Sequence, residues 1–273
     1  MTLDLTLHTA PAVPLEADVL TPARLAGLSA LETAKLTVVH GNQSAELGEF
    51  FLVAGTWAGE IHLTGDLARV KLIGTGMTEG RIVVHGSAGM HLGAGMSGGE
   101  IVIEGDAGDW VGPEMTGGRI IVRGNAGHMV GAAYRGGRVG MRGGEILVFG
   151  SAGNEVGSGM RRGLVAIAGD SGDFTGVNLL AGTIVVFGQL GWRTGAGMRR
   201  GTIVSMKPAE LLPTFSFACT YRPVILRLYL PYLRSLGLPV TEPQVQGCYQ
   251  RWCGDAIELN RGEILLLEAG DTA

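Results

Sequence analysis

Cysteine is scarce in this chain. There are three in 273 residues, an odd count, and no two of them form a Cys-x-x-Cys pair. That excludes a disulfide framework and points to a reducing compartment, the cytoplasm. Cys248 and Cys253 have four residues between them and Cys219 stands alone, while the last of the six histidines is His128. A zinc site needs gathered nitrogen and sulfur ligands, so the three thiols are read as ordinary buried or surface cysteines. No run of about 18 apolar residues occurs, which excludes a spanning helix. Residues 1–10 lack a basic stretch followed by an apolar one, so no secretion signal is expected. A formal net charge of −4 gives no pull toward nucleic acid or a membrane surface. Also missing are the Walker A, Gly-x-Ser-x-Gly and His-Glu-x-x-His patterns of nucleotide, acyl-transfer and zinc-hydrolase chemistry.

What the chain has in excess is glycine, 47 residues, about twice the usual share. Collagen would place glycine at every third position with abundant proline, and a flexible linker would lack the dense Ile and Val seen here. The glycines must therefore mark fixed turns of an ordered structure. Comparing the chain with itself shows where they fall. Units begin at Gly80, Gly99, Gly118, Gly144, Gly163, Gly182 and Gly201, as in GRIVVHGSAGMHLGAGMSG from Gly80. The spacing is 19 residues throughout, except for 26 between Gly118 and Gly144, one period plus a seven-residue insertion around 137–143. An earlier, less regular unit begins at Gly59, 21 residues before Gly80.

Each unit holds a five-residue β run, then a Gly–small–Gly turn, a second short extended piece and a Gly-x-Gly-Met corner. No two-residue hairpin turn separates successive runs. Each run can then pair only with its equivalent one unit away, in parallel, which makes a solenoid. The expected fold is all-β: a parallel β-helix of about seven 19-residue coils over residues 59–206. An N-terminal cap (1–58) and a C-terminal extension (207–273) flank it, both small and α/β in character.

Stacking turns positions into columns. Position two of the run is Ile61, Ile82, Ile101, Ile120, Ile146, Val165, Ile184 and Ile203; position four is Leu63, Val84, Ile103, Val122, Val148, Ile167 and Val186. Alternation places both columns inside. Position one, facing out, alternates in charge: Glu60, Arg81, Glu100, Arg119, Glu145. Opposite charges at strand spacing favour the correct register. Position three also faces out, yet reads Val83, Val102, Ile121, Leu147, Ala166, Val185 and Val204. Position five changes from His85, Glu104 and Arg123 to Phe149, Ala168 and Phe187. A strand apolar on both faces is covered on both, so a cover is expected, from the chain's own ends or from another subunit. Ile121, Leu147, Phe149, Val185 and Phe187 form the candidate partner-facing column.

Met77, Met96, Met115, Met141, Met160 and Met198, with Leu179 in phase, precede the coil starts. Soft-metal ligation is set against a corner stack of adaptable core residues, and the core stack is the reading. Arg161-Arg162 and Arg199-Arg200 follow two of these methionines, with Arg142 one coil earlier. Gathered cations on an acidic chain make a candidate contact for an acidic ligand tail or an acidic subunit; the alternative is a solvated corner. Asp106, Asp109 and Asp173 fall in turns and are expected to cap backbone amides. His85, His91 and His128 show no partner constellation. No catalytic residue and no metal site are expected on this chain.

The flanks read as follows. Residues 1–50 suggest a strand, a short helix after Thr21-Pro22 with Thr21 as N-cap, and a strand pair around His40-Gly41-Asn42. After Met206 the expectation is a loop over 208–217, a helix-like stretch over 224–236 interrupted by Pro231, and a last strand over 263–268.

The pattern G-x-x-G-x-G-M-x-x-G-x-I-x-V-x-G resembles the GXGXG domain, a right-handed β-helix. That domain closes the large subunit of glutamate synthase and constitutes the C subunit of formylmethanofuran dehydrogenases. The tail FACTYRPVILRLYLPYLRSLGLPV, residues 217–240, is similar to the C subunit of the bacterial formyltransferase/hydrolase complex. That resemblance implies a structural subunit in one-carbon metabolism, within a complex that takes formyl-tetrahydromethanopterin to formate by way of a methanofuran-type carrier. It implies hydrolase, formyltransferase and dehydrogenase-like partner subunits, with the hydrolase metal held on those partners. Carriers of this type bear polyglutamate-like tails, a match for the arginine edge. The alternative is a stand-alone glutamate-synthase-type domain. A six-residue-period acyltransferase helix is excluded, because 19 is not a multiple of six.

Overall fold

A short strand with apolar residues at positions two and four can satisfy its backbone only against an equivalent strand. The computed structural model, which describes residues 2–57 and 59–268, is built on that pairing. Its N-terminal part holds β1 (Leu3–Leu7), β2 (Leu15–Glu16), α1 (Pro22–Leu25), α2 (Ala30–Ala34), β3 (Thr37–His40), β4 (Gln43–Glu46) and β5 (Phe51–Gly55). There follow β6 (Glu60–Thr64), β7 (Val70–Lys71), β8 (Arg81–His85), β9 (Glu100–Ile103), β10 (Arg119–Val122), β11 (Arg142–Val148), β12 (Arg162–Ile167), β13 (Thr183–Val186) and β14 (Thr202–Ser205). The C-terminal part holds β15 (Ser216–Tyr221), α3 (Leu226–Ser235), α4 (Glu242–Gln246), β16 (Tyr249–Gly254) and β17 (Gly262–Leu267).

Thirteen strands form one mostly parallel sheet in the order β15-β16-β17-β14-β13-β12-β11-β10-β9-β8-β6-β1-β5. Only the outermost pairs, β1–β5, β17–β16 and β16–β15, are antiparallel. The chain is mostly β and solenoid-like. Its register is the one the columns predict: Ile61 faces Ile82, Ile82 faces Ile101, and so on to Ile203, all fully buried. The 26-residue step leaves Arg119 opposite Glu145, so the inserted residues loop out without disturbing the sheet. A slip of one residue would turn the whole isoleucine column into water, which is why the register survives the insertion. A second parallel ladder, one residue wide, runs Leu67, Ala88, Ala107, Ala126, Ala152, Ser171, Leu190.

The corners explain the glycine excess. Gly99 has φ +80°, and a Cβ there would sit 2.7 Å from the Gly80 carbonyl oxygen and 2.6 Å from Met77 Cε. Coils stack too closely for a side chain. The methionines are buried, Met96, Met115, Met141, Met160 and Met198 completely, as a core stack requires. One corner runs against sequence expectation. Leu72, His91, Trp110, Met129, Glu155, Phe174 and Arg193, one per coil, all have φ between 56° and 66°. The left-handed backbone costs a non-glycine residue ~1–2 kcal/mol. Here the N–H of each of the first six donates to a carbonyl of the next coil, as His91 N does to Asp109 O at 2.9 Å.

At the N-terminal end β1 lies parallel to β6, placing Leu3 and Leu5 in line with Ile61 and Leu63. A four-stranded sheet, β4-β3-β2-β7, stands beside it. Leu15, Leu20, Leu25, Leu47 and Phe51 join the same core as the coils. Pro22 opens α1 as predicted, but the Thr21 side chain makes no capping bond. The cap boundary expected at 58/59 falls on Ala58, outside the described residues.

At the other end β17 continues the stack, with Ile264 beside Ile203. Three features differ from the sequence reading. β15 begins at Ser216, inside the stretch read as loop. Helix α3 continues through Pro231 and is not interrupted there. Its Leu226, Leu230 and Leu233 are buried at i, i+4 and i+7, and that packing outweighs the hydrogen bond the proline removes. Helix α4 has no counterpart in the sequence reading; it is opened by a Thr241–Gln244 capping box.

Candidate functional site

The outward sheet face is the largest candidate surface in the sequence, and its later coils are covered by the chain itself. Leu147, Ala166, Val185 and Val204 are fully buried, Phe187 is 6% exposed and Ile121 9% exposed. They form one cluster with Leu226, Leu230 and Leu233 of α3, Val245 of α4, and Tyr249 and Leu265 of β16 and β17. The partner-facing reading of Ile121, Leu147, Val185 and Phe187 is therefore corrected: these residues meet α3 and α4, which a partner would first have to displace. Phe149 lies at the margin of the cluster, half-buried, with the Arg123 guanidinium 4.3 Å above its ring.

The charge ladder pins that cover. Arg81 bonds Glu60 at 2.7 Å and Glu100 at 3.0 Å, and Arg119 bonds Glu145 at 3.0 Å. The Tyr232 hydroxyl of α3 donates to the Glu145 carboxylate (2.7 and 2.8 Å) and accepts from Arg119 Nη2 at 2.9 Å. Burial pushes the Tyr232 phenol up, and its bond to Glu145 adds to the rise. Burial alone would lower the Arg119 guanidinium, but Glu145 and Tyr232 outweigh it and raise it.

The arginine pairs do come together. Arg161, Arg162, Arg199 and Arg200 line one open groove of about 540 Å³, floored by Leu180, Ala181 and Gly182 and flanked by Tyr229 and Leu259. Arg142 faces Arg162 across the β11–β12 register. Arg199 is bonded to Glu258 at 3.0 Å; among the described residues the other four have no ion pair. Sequence reading missed Arg138, which lines an adjoining cleft of about 500 Å³ that shares Leu180 and Arg199. The signal was available, since Arg138 lies in the inserted residues.

The histidines also depart from the single-column reading. His62 Nδ1 lies 2.8 Å from His85 Nε2, and His85 Nδ1 lies 2.9 Å from Glu104 Oε2. His62 occupies position three and His85 position five of neighbouring coils, a diagonal pair that reading along single columns does not reveal. His91 stacks on Trp110 at 5.2 Å, with Tyr134 at 5.5 Å. Burial lowers the His91 pKa, and the charge of Lys71 adds to the effect.

The aspartates cap amides as expected. Asp106 accepts from Asn125 N (2.6 Å), Asp109 from His128 N (2.7 Å) and Asp173 from Trp192 N (2.8 Å), each one coil on. Cys219, Cys248 and Cys253 are free thiols. Among the described residues no group of three or more His, Cys, Asp or Glu side chains is placed to hold a metal ion. Among the same residues no helix is long and apolar enough to cross a membrane.

No family model matches the chain. A stretch of 85 residues, 29% of this chain, is 46% identical to the C subunit of molybdenum-containing formylmethanofuran dehydrogenase 1 of Methanosarcina barkeri, of which it spans 28%. A stretch of 93 residues, 32% of this chain, is 42% identical to the C subunit of the tungsten-containing formylmethanofuran dehydrogenase 2 of Methanothermobacter wolfeii, spanning 34% of that protein. The match thus spans only about a third or less of these curated relatives. Similarity over the full length comes from a crystal structure, the formyltransferase/hydrolase complex of Methylorubrum extorquens with methylofuran. One chain of it superposes with a TM-score of 0.91 at 34% identity, over 97% of this chain and 100% of that one. The chain belongs to the family formed by the C subunits of formylmethanofuran dehydrogenases and of the formyltransferase/hydrolase complex.

Proposed function

We propose that the chain is a non-catalytic structural subunit of a formyltransferase/hydrolase complex. The complex would convert formyl-tetrahydromethanopterin to formate by way of a formyl-methanofuran-type carrier. The observation that carries the reading is the full-length similarity to a chain of the M. extorquens complex. The use of side chains supports it: outward charges are spent on the Glu–Arg ladder, and turn aspartates on the amides of the next coil. On this reading the stack is a right-handed β-helix of about seven coils over 59–206, between a 1–58 cap and a 207–273 extension, in a cytoplasmic complex. Hydrolase, formyltransferase and dehydrogenase-like subunits are the partners and hold the hydrolase metal. The groove of Arg161, Arg162, Arg199 and Arg200, with Arg142 beside it, is the contact for an acidic polyglutamate tail of the carrier or for an acidic subunit.

The test is an affinity isolation of the chain at native levels, followed by a formyl-hydrolysis assay of the bound fraction and of the chain alone. The expected result is formate release from the assembly and none from the isolated chain. Turnover by the isolated chain would overturn the non-catalytic reading.

A further inference from the structure

The thirteen-stranded sheet ends at β15, and that end is open. β15 pairs with β16 on one side, with Phe217 opposite Trp252 and Tyr221 opposite Tyr249, and no strand among the described residues lies on its other side. Its first five residues are all exposed, Phe217 by 53%. Half the N–H and C=O groups of such a strand point away from its neighbour and form a template for another strand. Proteins blunt such edges with lysine, proline or a covering element. The sequence SFACTY carries no charge and no proline. The opposite end of the sheet is protected, because α2 packs against β5.

The side chains around the edge define what fits. On one face Phe217 meets Trp252 edge to face, with ring centroids 5.7 Å apart. On the other, Cys219 stands opposite Arg251, whose charge is held by Glu263 at 2.7 Å. Val224, Ile225 and Leu228, just beyond the strand, are exposed apolar residues. The surface thus offers free backbone hydrogen bonds and an aromatic face, with two exposed cations, Arg222 and Arg227, that have no ion pair among the described residues. Resting on the subunit reading above, we infer that β15 is a strand-addition site. An extended segment of another subunit pairs with it, sets apolar side chains beside Phe217 and Trp252, and carries an acidic residue at the Arg222 end. A second copy of this chain fits less well. β15 has a register irregularity between Phe217 and Cys219, and two-fold pairing would set two bulges against each other.

Hydrogen exchange at residues 216–221, compared between the isolated chain and the native complex, reads this directly. The amides on the free edge slow by roughly tenfold or more on assembly, as edge hydrogen bonds form. The double variant Ala218→Lys/Thr220→Lys alters two exposed side chains; it keeps the melting temperature of the chain and loses at least about tenfold in affinity for the partner subunits. Unchanged exchange at 216–221 in an assembled complex overturns the inference and leaves the subunit reading standing. Protection already present in a dimer of the chain alone overturns the assigned occupant. A chain that assembles with no other protein overturns the subunit reading, and the inference with it.

Discussion

Replacing Leu230 by alanine tests whether the chain provides its own cover. Leu230 is fully buried on α3, in one cluster with Leu147, Val185, Phe187 and Val204 of the outward sheet face. The substitution removes three carbons from a packed site, and such cuts cost ~2–5 kcal/mol, depending on how far the surroundings collapse. Leu228, two residues away on the same helix, is 68% exposed, and its replacement by alanine is expected to stay within about 0.5 kcal/mol. The assay is urea unfolding of the isolated chain followed by circular dichroism, comparing midpoints at unchanged slope. A cycle with Leu147→Ala adds the coupling, expected at ~0.5–3 kcal/mol for residues sharing one cluster. A Leu230→Ala midpoint equal to wild type would refute the packing of α3 on the sheet, and would return Ile121, Leu147, Val185 and Phe187 to the surface.

Tyr249 donates from its hydroxyl to the Gln244 carbonyl at 2.7 Å, inside the same cover. Tyr249→Phe therefore costs about 1 kcal/mol at neutral pH in a melting experiment. Burial raises the Tyr249 pKa, so its contribution is complete below the ordinary phenol value of about 10 and fades as pH rises through the raised one. Wild type should lose stability more steeply than Tyr249→Phe between those two values. Burial lowers the pKa of His91, so its neutral form contributes stability above the ordinary imidazole value of about 6.5, lost as pH falls through the lowered one. Melting temperatures between pH 7.5 and 5.5 should drop in wild type and drop less in His91→Phe; parallel curves would dismiss the effect. Reversing Arg161 to Glu should weaken assembly or carrier affinity by about tenfold or more, as expected of lost charge-assisted contacts, while chain melting stays unchanged. Arg199→Glu should weaken it likewise and also lose the Glu258 pair, at a cost to the chain of up to about 1 kcal/mol. Values equal to wild type for both variants would leave the groove a solvated corner.

The coils were legible because their physics repeats. A 19-residue period with Ile at position two and Val or Ile at position four specifies strand direction, register and inner face together, and the columns at positions one to four appear in the sheet. The alternating charges and the turn aspartates were readable for the same reason, since each bonds its equivalent one coil away. Most of what was not legible breaks the period. The cover over Leu147 and Val185 comes from α3, α4 and the strands after them, a segment with no repeat to align, so self-cover and partner cover looked alike. The left-handed column from Leu72 to Arg193 was hidden because no glycine marks it; inter-coil hydrogen bonds hold it in place. The His62–His85–Glu104 chain runs diagonally across columns. The arginine groove was half visible: its paired cations stand in the repeat, whereas Tyr229 and Leu259 reach it from outside the period and Arg138 lines the adjoining cleft.

The central claim is that the chain works as a framework subunit, and native mass spectrometry of the assembly captured through this chain tests it most directly. The account predicts a hetero-oligomer in which the chain is joined by formyltransferase- and hydrolase-type subunits. A mass equal to the chain alone, or to copies of the chain only, would contradict it.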